Sequence, residues 1–456
     1  MFKRILIANR GEIALRIIRC CREMEIETVL IYSIADRESL PVQLATKAVC
    51  IGPAKAADSY LNQDLIIDIA CKTGCEAVHP GYGFLSENSS FARKCEEHGL
   101  VFIGPSADII DRMGNKQEAR CLMRKHKVPV VPGSDGTLTS VEEAMEIAEK
   151  IGYPVLVKAS AGGGGRGMRK AFSKEEVREA FQTAKTEAEA AFGNGELYME
   201  KLIVNPHHIE FQILGDKEGN IIHLGERDCS IQRRNQKMVE EAPAKILTKE
   251  LREQMGAAAV SAAKAVGYYS AGTVEFVLDS EMNFYFIEMN TRIQVEHPVT
   301  EMVSGVDLVK EQIRIAAGRK LGLTQEEVIL SGHAIECRIN AENPLNGFLP
   351  SPGKIDFLHF PAGKGVRVET AVYPGYEISP YYDSMVAKLI VHGETRLEAI
   401  RKMRCALEEL MMEGIETTAG FLYIMMYHPE YIKGNYDTGF IEKNLDALLE
   451  WSGENE

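Results

Sequence analysis

Along the first hundred residues, short apolar runs alternate with stretches whose apolar positions recur at helical spacing. Residues 3–8 read as a buried strand, and Ile13, Ile17 and Ile18 mark one face of a helix over 11–24. Further apolar runs lie at 28–32, 48–51, 77–79 and 101–103, with Gly74 and Gly99 punctuating the returns. Strands alternating with helices predict a parallel, doubly wound sheet. The turn Asn9-Arg10-Gly11-Glu12 lacks the Gly-x-Gly-x-x-Gly fingerprint, so the architecture is supported but a dinucleotide is not.

The pattern changes after Met113-Gly114, which reads as a boundary before a charged helix over 116–126. Ser140 with Glu143, and Ser173 with Glu176, are capping-box signatures for helices running to Ile151 and to about Phe192. Between them lie a strand over 154–158, a glycine run and an extended segment over 169–172. An Ala-rich stretch predicts a helix over 250–266, and 272–278 with 284–290 predict a hairpin turning through 279–283. Beyond Pro350-Ser351-Pro352 the pattern is antiparallel, with amphipathic helices from Thr395 and no internal repeat.

Length and composition narrow the picture. At about 150 residues per domain, 456 residues predict roughly three domains. A hydrophobic content of 45% supports a sizeable core, and a net charge of −14 argues against nucleic acid as a partner. No run approaches the ~18 apolar residues of a membrane span, and no signal peptide precedes Asn9. Ten cysteines lie scattered without a Cys-x-x-Cys pair, which makes a reduced, cytoplasmic chain the expectation.

Candidate chemistry begins at Ala161-Gly162-Gly163-Gly164-Gly165-Arg166-Gly167-Met168. Adjacent glycines bare backbone N–H groups for polyphosphate contact, but the Gly-Lys-Ser/Thr of a Walker loop is missing. A mobile flap between strands fits better, with Lys158 aimed at the same phosphates; a flexible surface linker is the competing account. Glu275 and Glu288 are carboxylates in otherwise apolar strands, costly unless something compensates them. Glu288, Asn290, Arg292, Gln294 and Glu296 alternate as one strand face would, and the carboxylates suit Mg²⁺. A wet outer face is the alternative. Arg292 offers a fork for a small planar anion such as bicarbonate, and Glu296 a base. Weaker signals are His79-Pro80-Gly81-Tyr82-Gly83-Phe84 after a strand, the basic stretch Gln232-Arg233-Arg234-Asn235-Gln236-Lys237, and Arg338 within Glu336-Cys337-Arg338-Ile339. Cys229 and Cys337 read as buried inert thiols.

The glycine flap, the segment from Phe286 through Glu288 to His297, and His79-Pro80-Gly81-Tyr82-Gly83 together resemble biotin carboxylase of the ATP-grasp superfamily. The resemblance spans residue 3 to about residue 444. It implies an α/β and α+β multidomain fold: a Rossmann-like amino-terminal domain (1–114), an ATP-grasp central domain (115–330, lid about 131–203) and a mixed α/β carboxy-terminal domain (331–447). The implied reaction is ATP-dependent carboxylation of biotin N1′ by bicarbonate through carboxyphosphate, the first half-reaction of acetyl-CoA carboxylase in fatty acid synthesis. Another acyl-CoA carboxylase and an ATP-grasp carboxylate–amine ligase are the alternatives.

The resemblance also implies roles. Lys116 and Lys158 would hold ATP phosphates beneath Gly164 and Gly165; Glu200, Lys201, Leu202 and Ile203 would line the adenine. His208, Gln232 and Asn235 fall at ribose- or base-side positions, Asn235 standing where many relatives carry His. Glu275 and Glu288, assisted by Asn290, would hold Mg²⁺ or Mn²⁺. Lys237, Arg292, Gln294 and Val295 would form the bicarbonate pocket, with Glu296 as base. Arg338 would stabilise the biotin enolate, and Tyr82 would lie near the ureido ring. The chain nowhere contains the Met-Lys-Met that carries covalent biotin, so the expected partners are a separate biotin carboxyl carrier protein, carboxyltransferase subunits and a second copy of the chain.

Overall fold

The apolar runs of the amino-terminal segment form five short parallel strands: β1 (Arg4–Ile7), β2 (Glu27–Tyr32), β3 (Lys47–Cys50), β4 (Ala77–His79) and β5 (Val101–Phe102). Their order is β3-β2-β1-β4-β5, parallel throughout, as the strand–helix alternation predicts. The helix Gly11–Glu23 packs Ile13, Ile17 and Ile18 into the core beside Ile5 and Ile7 of β1. The computed structural model describes residues 1–159 and 167–453, so Gly164 and Gly165 of the proposed flap lie outside the described residues.

A second unit is built on a three-stranded antiparallel sheet: β6 (Val155–Ala159), β7 (Met168–Ala171) and β8 (Leu197–Lys201), in the order β7-β6-β8. Helices Val141–Ile151 and Lys174–Phe192 cover it, and Val155, Val157, Phe181, Leu197 and Met199 form a core of their own. Both helices are capped one residue differently from the sequence expectation. Ser140 accepts from the Glu143 backbone at 3.1 Å, but the Glu143 carboxylate reaches back to Thr139 N at 2.8 Å rather than to Ser140. Glu176 likewise takes the backbone N–H of Phe172. The bond still satisfies a free amide at the helix entrance, so the pattern marks the boundary correctly.

The largest sheet has eight strands. It contains β9 (His207–Gly215), β10 (Ile221–Arg233), β11 (Gln236–Ala242), β12 (Ser270–Leu278), β13 (Phe284–Asn290), β14 (His333–Asn340) and the strands Met385–Gly393 and Val366–Thr370. The order is β13-β12-β9-β10-β11-β14, then Met385–Gly393 and Val366–Thr370, so one ladder runs through both sides of position 330. Several register shifts bend it, including one between Asp228 and Ile231 and one between Ile339 and Asn340. The β9/β10 register shifts between His223 and Glu226, where Gly225 has φ +84°; β10/β11 shifts between Ile231 and Gln232; β12/β13 shifts between Glu275 and Phe276. An extra residue in one strand resets the in/out alternation and re-aims the side chains beyond it. No helix among the described residues is long and apolar enough to cross a membrane.

Candidate active site

The cleft residues come from strands far apart in sequence and adjacent in the sheet. On β12 and β13, Glu275 and Glu288 stand opposite each other in register. The Glu275 carboxylate accepts from Asn290 Nδ2 at 2.8 Å, Gln294 Nε2 at 2.9 Å and Lys237 Nζ at 3.2 Å, and meets His208 Nε2 at 2.9 Å. Glu288 turns to Lys116 Nζ, 3.1 Å away at the start of the helix Lys116–Lys125. Burial alone would raise the Glu275 carboxyl, yet Lys237 and His208 hold it well below the usual carboxylate range. Two carboxylates and the Asn290 amide oxygen on neighbouring positions are hard donors whose chemistry fits Mg²⁺.

The run from Glu288 to Glu296 converges differently from the sequence expectation. Strand β13 ends at Asn290, and the chain then turns, so Gln294 and Glu296 do not reach the site by strand alternation. Glu296 is instead the residue that enters the helix His297–Ser304. Buried Arg227 fixes this turn, donating to Gln294 Oε1 at 2.9 Å and to Thr300 Oγ1 at 2.9 Å while pairing with Glu210 at 2.5 Å. Lys388 donates to the Val295 carbonyl at 2.7 Å from the Met385–Gly393 strand. Arg292 pairs with Glu87 Oε2 at 2.9 Å and donates to Asn290 Oδ1 at 3.1 Å, which orients its fork beside Glu275.

At the centre sits Glu296, 2% exposed. Its Oε1 accepts from Lys237 Nζ at 2.6 Å and its Oε2 from Arg338 Nη2 at 3.0 Å. Lys237 also bonds Glu210 at 2.6 Å. Burial would depress the Lys237 amine, but Glu210, Glu275 and Glu296 push it well above its ordinary value, so it is an ammonium. Burial would raise the Glu296 carboxyl, and Lys237, Arg338 and Arg227 override that and hold it ionised. Tyr82 bonds Glu12, which lies 3.1 Å from Lys388. Asn9 Nδ2 holds the loop of Tyr82 by donating to the Pro80 and Tyr82 carbonyls, both at 2.7 Å.

The nucleotide-side candidates are drawn together in part. Lys158 on β6 pairs with Glu200 on β8, which Arg120 of the helix Lys116–Lys125 also meets at 2.7 Å. Lys201 Nζ donates to the Tyr153 carbonyl, and Leu202 N to the Pro154 carbonyl. Gln232 is buried in β10. Asn235 stands apart in the exposed hairpin turn joining β10 to β11, where Arg234 and Asn235 have φ +50° and +63°. A left-handed turn position of this kind tolerates Asn better than most side chains. Sequence reasoning missed Glu87, Arg120, Glu210, Arg227, Glu240 and Lys388, of which all but Glu87 and Arg120 lie in strands.

Three family models cover most of the chain. The one described as "Biotin carboxylase, N-terminal domain" matches residues 1–110, "Carbamoyl-phosphate synthase L chain, ATP binding domain" matches 115–324, and "Biotin carboxylase C-terminal domain" matches 336–443. Biotin carboxylase 1 of Bacillus subtilis is 57% identical over 97% of this chain and 98% of its own length. The biotin carboxylase of Haemophilus influenzae is 53% identical over 98% and 99%. Among solved structures, the biotin carboxylase–β,γ-ATP complex from Campylobacter jejuni superposes with a TM-score of 0.93 at 50% identity, covering 97% and 99% of the two chains. Family models matched across the amino-terminal, central and carboxy-terminal parts, with relatives similar over nearly their full length, show that the chain belongs to the biotin carboxylase family.

Proposed function

We propose that this enzyme carboxylates N1′ of biotin with bicarbonate at the expense of ATP, through carboxyphosphate, on biotin presented by a separate carrier protein. The observation that carries the reading is Glu296, ionised and buried between Lys237 and Arg338 beside the Glu275–Asn290–Gln294 cluster. A relative 54% identical, the 2-oxoglutarate carboxylase biotin carboxylase domain dimer of Hydrogenobacter thermophilus, has been solved with MgADP, ADP and bicarbonate.

Lys116, Lys158 and the flap at Gly164 and Gly165 hold the ATP phosphates; Glu200 to Ile203 line the base, with His208, Gln232 and Asn235 on the ribose or base side. Glu275, Glu288 and Asn290 hold a divalent cation, which neutralises phosphate charge when bound. Lys237, Arg292, Gln294 and Val295 hold bicarbonate, and Glu296 takes its proton while the bicarbonate oxygen displaces ADP from the γ-phosphorus. Because Glu296 is held ionised by cations, it is a weak base in isolation; Lys237 and Arg292 compensate by stabilising the charge left on the substrate. Arg338 pairs with the enolate of biotin, beside Tyr82. Residues 1–114, 115–330 and 331–447 are the units we assign to these tasks, working as a homodimer in the cytoplasm beside carboxyltransferase subunits.

The test is ADP release by the purified chain with Mg²⁺ and bicarbonate, with and without biotin or a biotinylated carrier. Matched ADP and carboxybiotin are expected, and ATP cleavage that ignores both biotin forms sinks the reading. Glu288→Gln is expected to remove most turnover without unfolding the chain; full activity at saturating Mg²⁺ refutes the cation assignment. Acetyl-CoA is the acceptor we assign to the whole assembly. Two relatives, named for the small chain of a 2-oxoglutarate carboxylase and for one chain of a pyruvate carboxylase, are 55% and 52% identical. They make 2-oxoglutarate and pyruvate the next acceptors to try.

A further inference from the structure

Glu240 and Glu336 face each other in register on β11 and β14, and neither has exposed surface. Side chains at paired positions leave a sheet on the same face, about 5 Å apart at Cβ. Glu240 Oε1 accepts from Arg338 Nε at 2.6 Å and lies 2.5 Å from Arg338 Nη2. Glu240 Oε2 and both oxygens of Glu336 have no hydrogen-bond partner among the described residues. Three buried carboxyl oxygens without a protein donor, on side chains that face each other, disfavour two full negative charges; facing carboxyls of this kind retain a proton.

Among the described residues the surrounding charges leave no donor to spare. On β11, Lys237 is committed to Glu210, Glu275 and Glu296, and Glu241 belongs to Arg396 and His333 on the other face. Arg338 on β14 is shared by Glu240 and Glu296. Lys388, opposite Arg338 in register, is committed to the Val295 carbonyl and to Glu12, which also meets Tyr82. His297 is buried against Lys388, Arg16 and Arg367 and is held neutral. Burial pushes Glu336 well above the carboxylate range and Glu240 up to about 7, against the pull of Lys388 and Arg338.

We propose that Glu240 and Glu336 hold one proton between them, and that this carboxyl pair positions Arg338 by limiting how much of its charge Glu240 claims. With the proton in place, the pair carries a single negative charge and Arg338 Nη2 is divided between Glu240 and Glu296, within reach of substrate. When the proton leaves for solvent, a second negative charge behind Arg338 draws the guanidinium toward the sheet. The positioning claim rests on the assignment of Arg338 to biotin made above.

Two measurements on the full chain test it. Infrared difference spectra of glutamate-labelled protein, recorded without substrates, are expected to show a protonated carboxyl that persists well above the ordinary carboxylate range of about 4.3 and disappears in Glu336→Gln. Absence of that band in the wild-type chain overturns the shared proton, whether or not the variant folds. Second, biotin-dependent kcat/KM is expected to fall about tenfold per pH unit once the pair ionises, while bicarbonate-dependent ATP cleavage does not follow it. Glu336→Gln, whose neutral amide stands in for the shared proton, is expected to move that fall upward by at least ~1 pH unit. An unmoved limb in the folded variant overturns the positioning role. A wild-type chain with the band but no biotin-dependent rate refutes the assignment of Arg338 to biotin, and the positioning claim with it, while the shared proton stands.

Discussion

Lys237 meets Glu210, Glu275 and Glu296 with one ammonium, and Arg338 meets Glu240 and Glu296 with one guanidinium. Among the described residues Glu296 is thus the only carboxylate contacted by both, and removing Arg338 leaves Glu240 and Glu296 buried without that partner. Arg338→Ala is expected to slow biotin carboxylation by roughly 100-fold or more, the scale for losing a charge-stabilising donor, and to slow bicarbonate-dependent ATP cleavage far less. Parallel assays decide this, since an equal loss in both moves Arg338 to nucleotide or bicarbonate binding. Away from the site, Glu241 is 1% exposed and shared by Arg396 and His333. Burial would raise its carboxyl, but these partners hold it well below the usual range. That stabilisation is complete above the unfolded value of about 4.3 and is lost as pH falls toward the folded one. Glu241→Gln should cost about 3–5 kcal/mol at neutral pH and flatten acid unfolding below about pH 4, measured by denaturant titration. Glu275 and Glu288 were legible because a charge inside an apolar run calls for a partner. Glu210, Glu240 and Lys388 satisfy the same rule, but their partners lie on elements distant in sequence, so their meaning emerges only with the sheet order. Glu87 carries no such signal; Ser86-Glu87-Asn88 is an ordinary polar loop until Arg292 arrives.

At the scale of elements, periodicity predicted the parallel sheet, the capped helices and the β12–β13 hairpin with small boundary errors. What it could not contain were the register shifts, because an extra residue in a strand leaves no mark in composition. Lys237 and Glu240 are an odd number of positions apart and would face opposite ways in a regular strand. The shift between Ile231/Val239 and Gln232/Lys237 brings both to the cleft. The approach of β8 to the segment before it is equally specific. Gly133 bridges to Glu200, and a Cβ there would lie 2.3 Å from the Met199 carbonyl oxygen. Gly133→Ala must therefore push the backbone next to Glu200, which is expected to raise the KM for ATP severalfold with little loss of secondary structure. An unchanged KM would detach this contact from nucleotide binding.

At the scale of the whole molecule, the second unit and the large sheet are built differently. That unit has its own core around Val157 and Met199, whereas the eight-stranded sheet carries β12, β11 and β14 in one ladder with Met385–Gly393. Tyr382 from beyond position 330 reaches into the first unit, bonding Ser33 Oγ at 2.5 Å with Arg10 stacked 4.1 Å from its ring. Hydrogen exchange is expected to release β6, β7 and β8 first and the large sheet last, in a single cooperative step; early exchange of β14 with the Met385–Gly393 strand would contradict this. A fragment beginning at 331 should fail to fold alone, as it leaves β14 without β11. The register shift in β11 has a consequence for how such a chain can vary over time. An extra residue in β10 between Asp228 and Ile231 offsets the extra residue in β11, so deleting Met238 would leave the β10 irregularity unanswered and turn Lys237 away from Glu296. The two irregularities answer each other, so lineages are free to lengthen their loops but not to lose a residue from one of these strands alone.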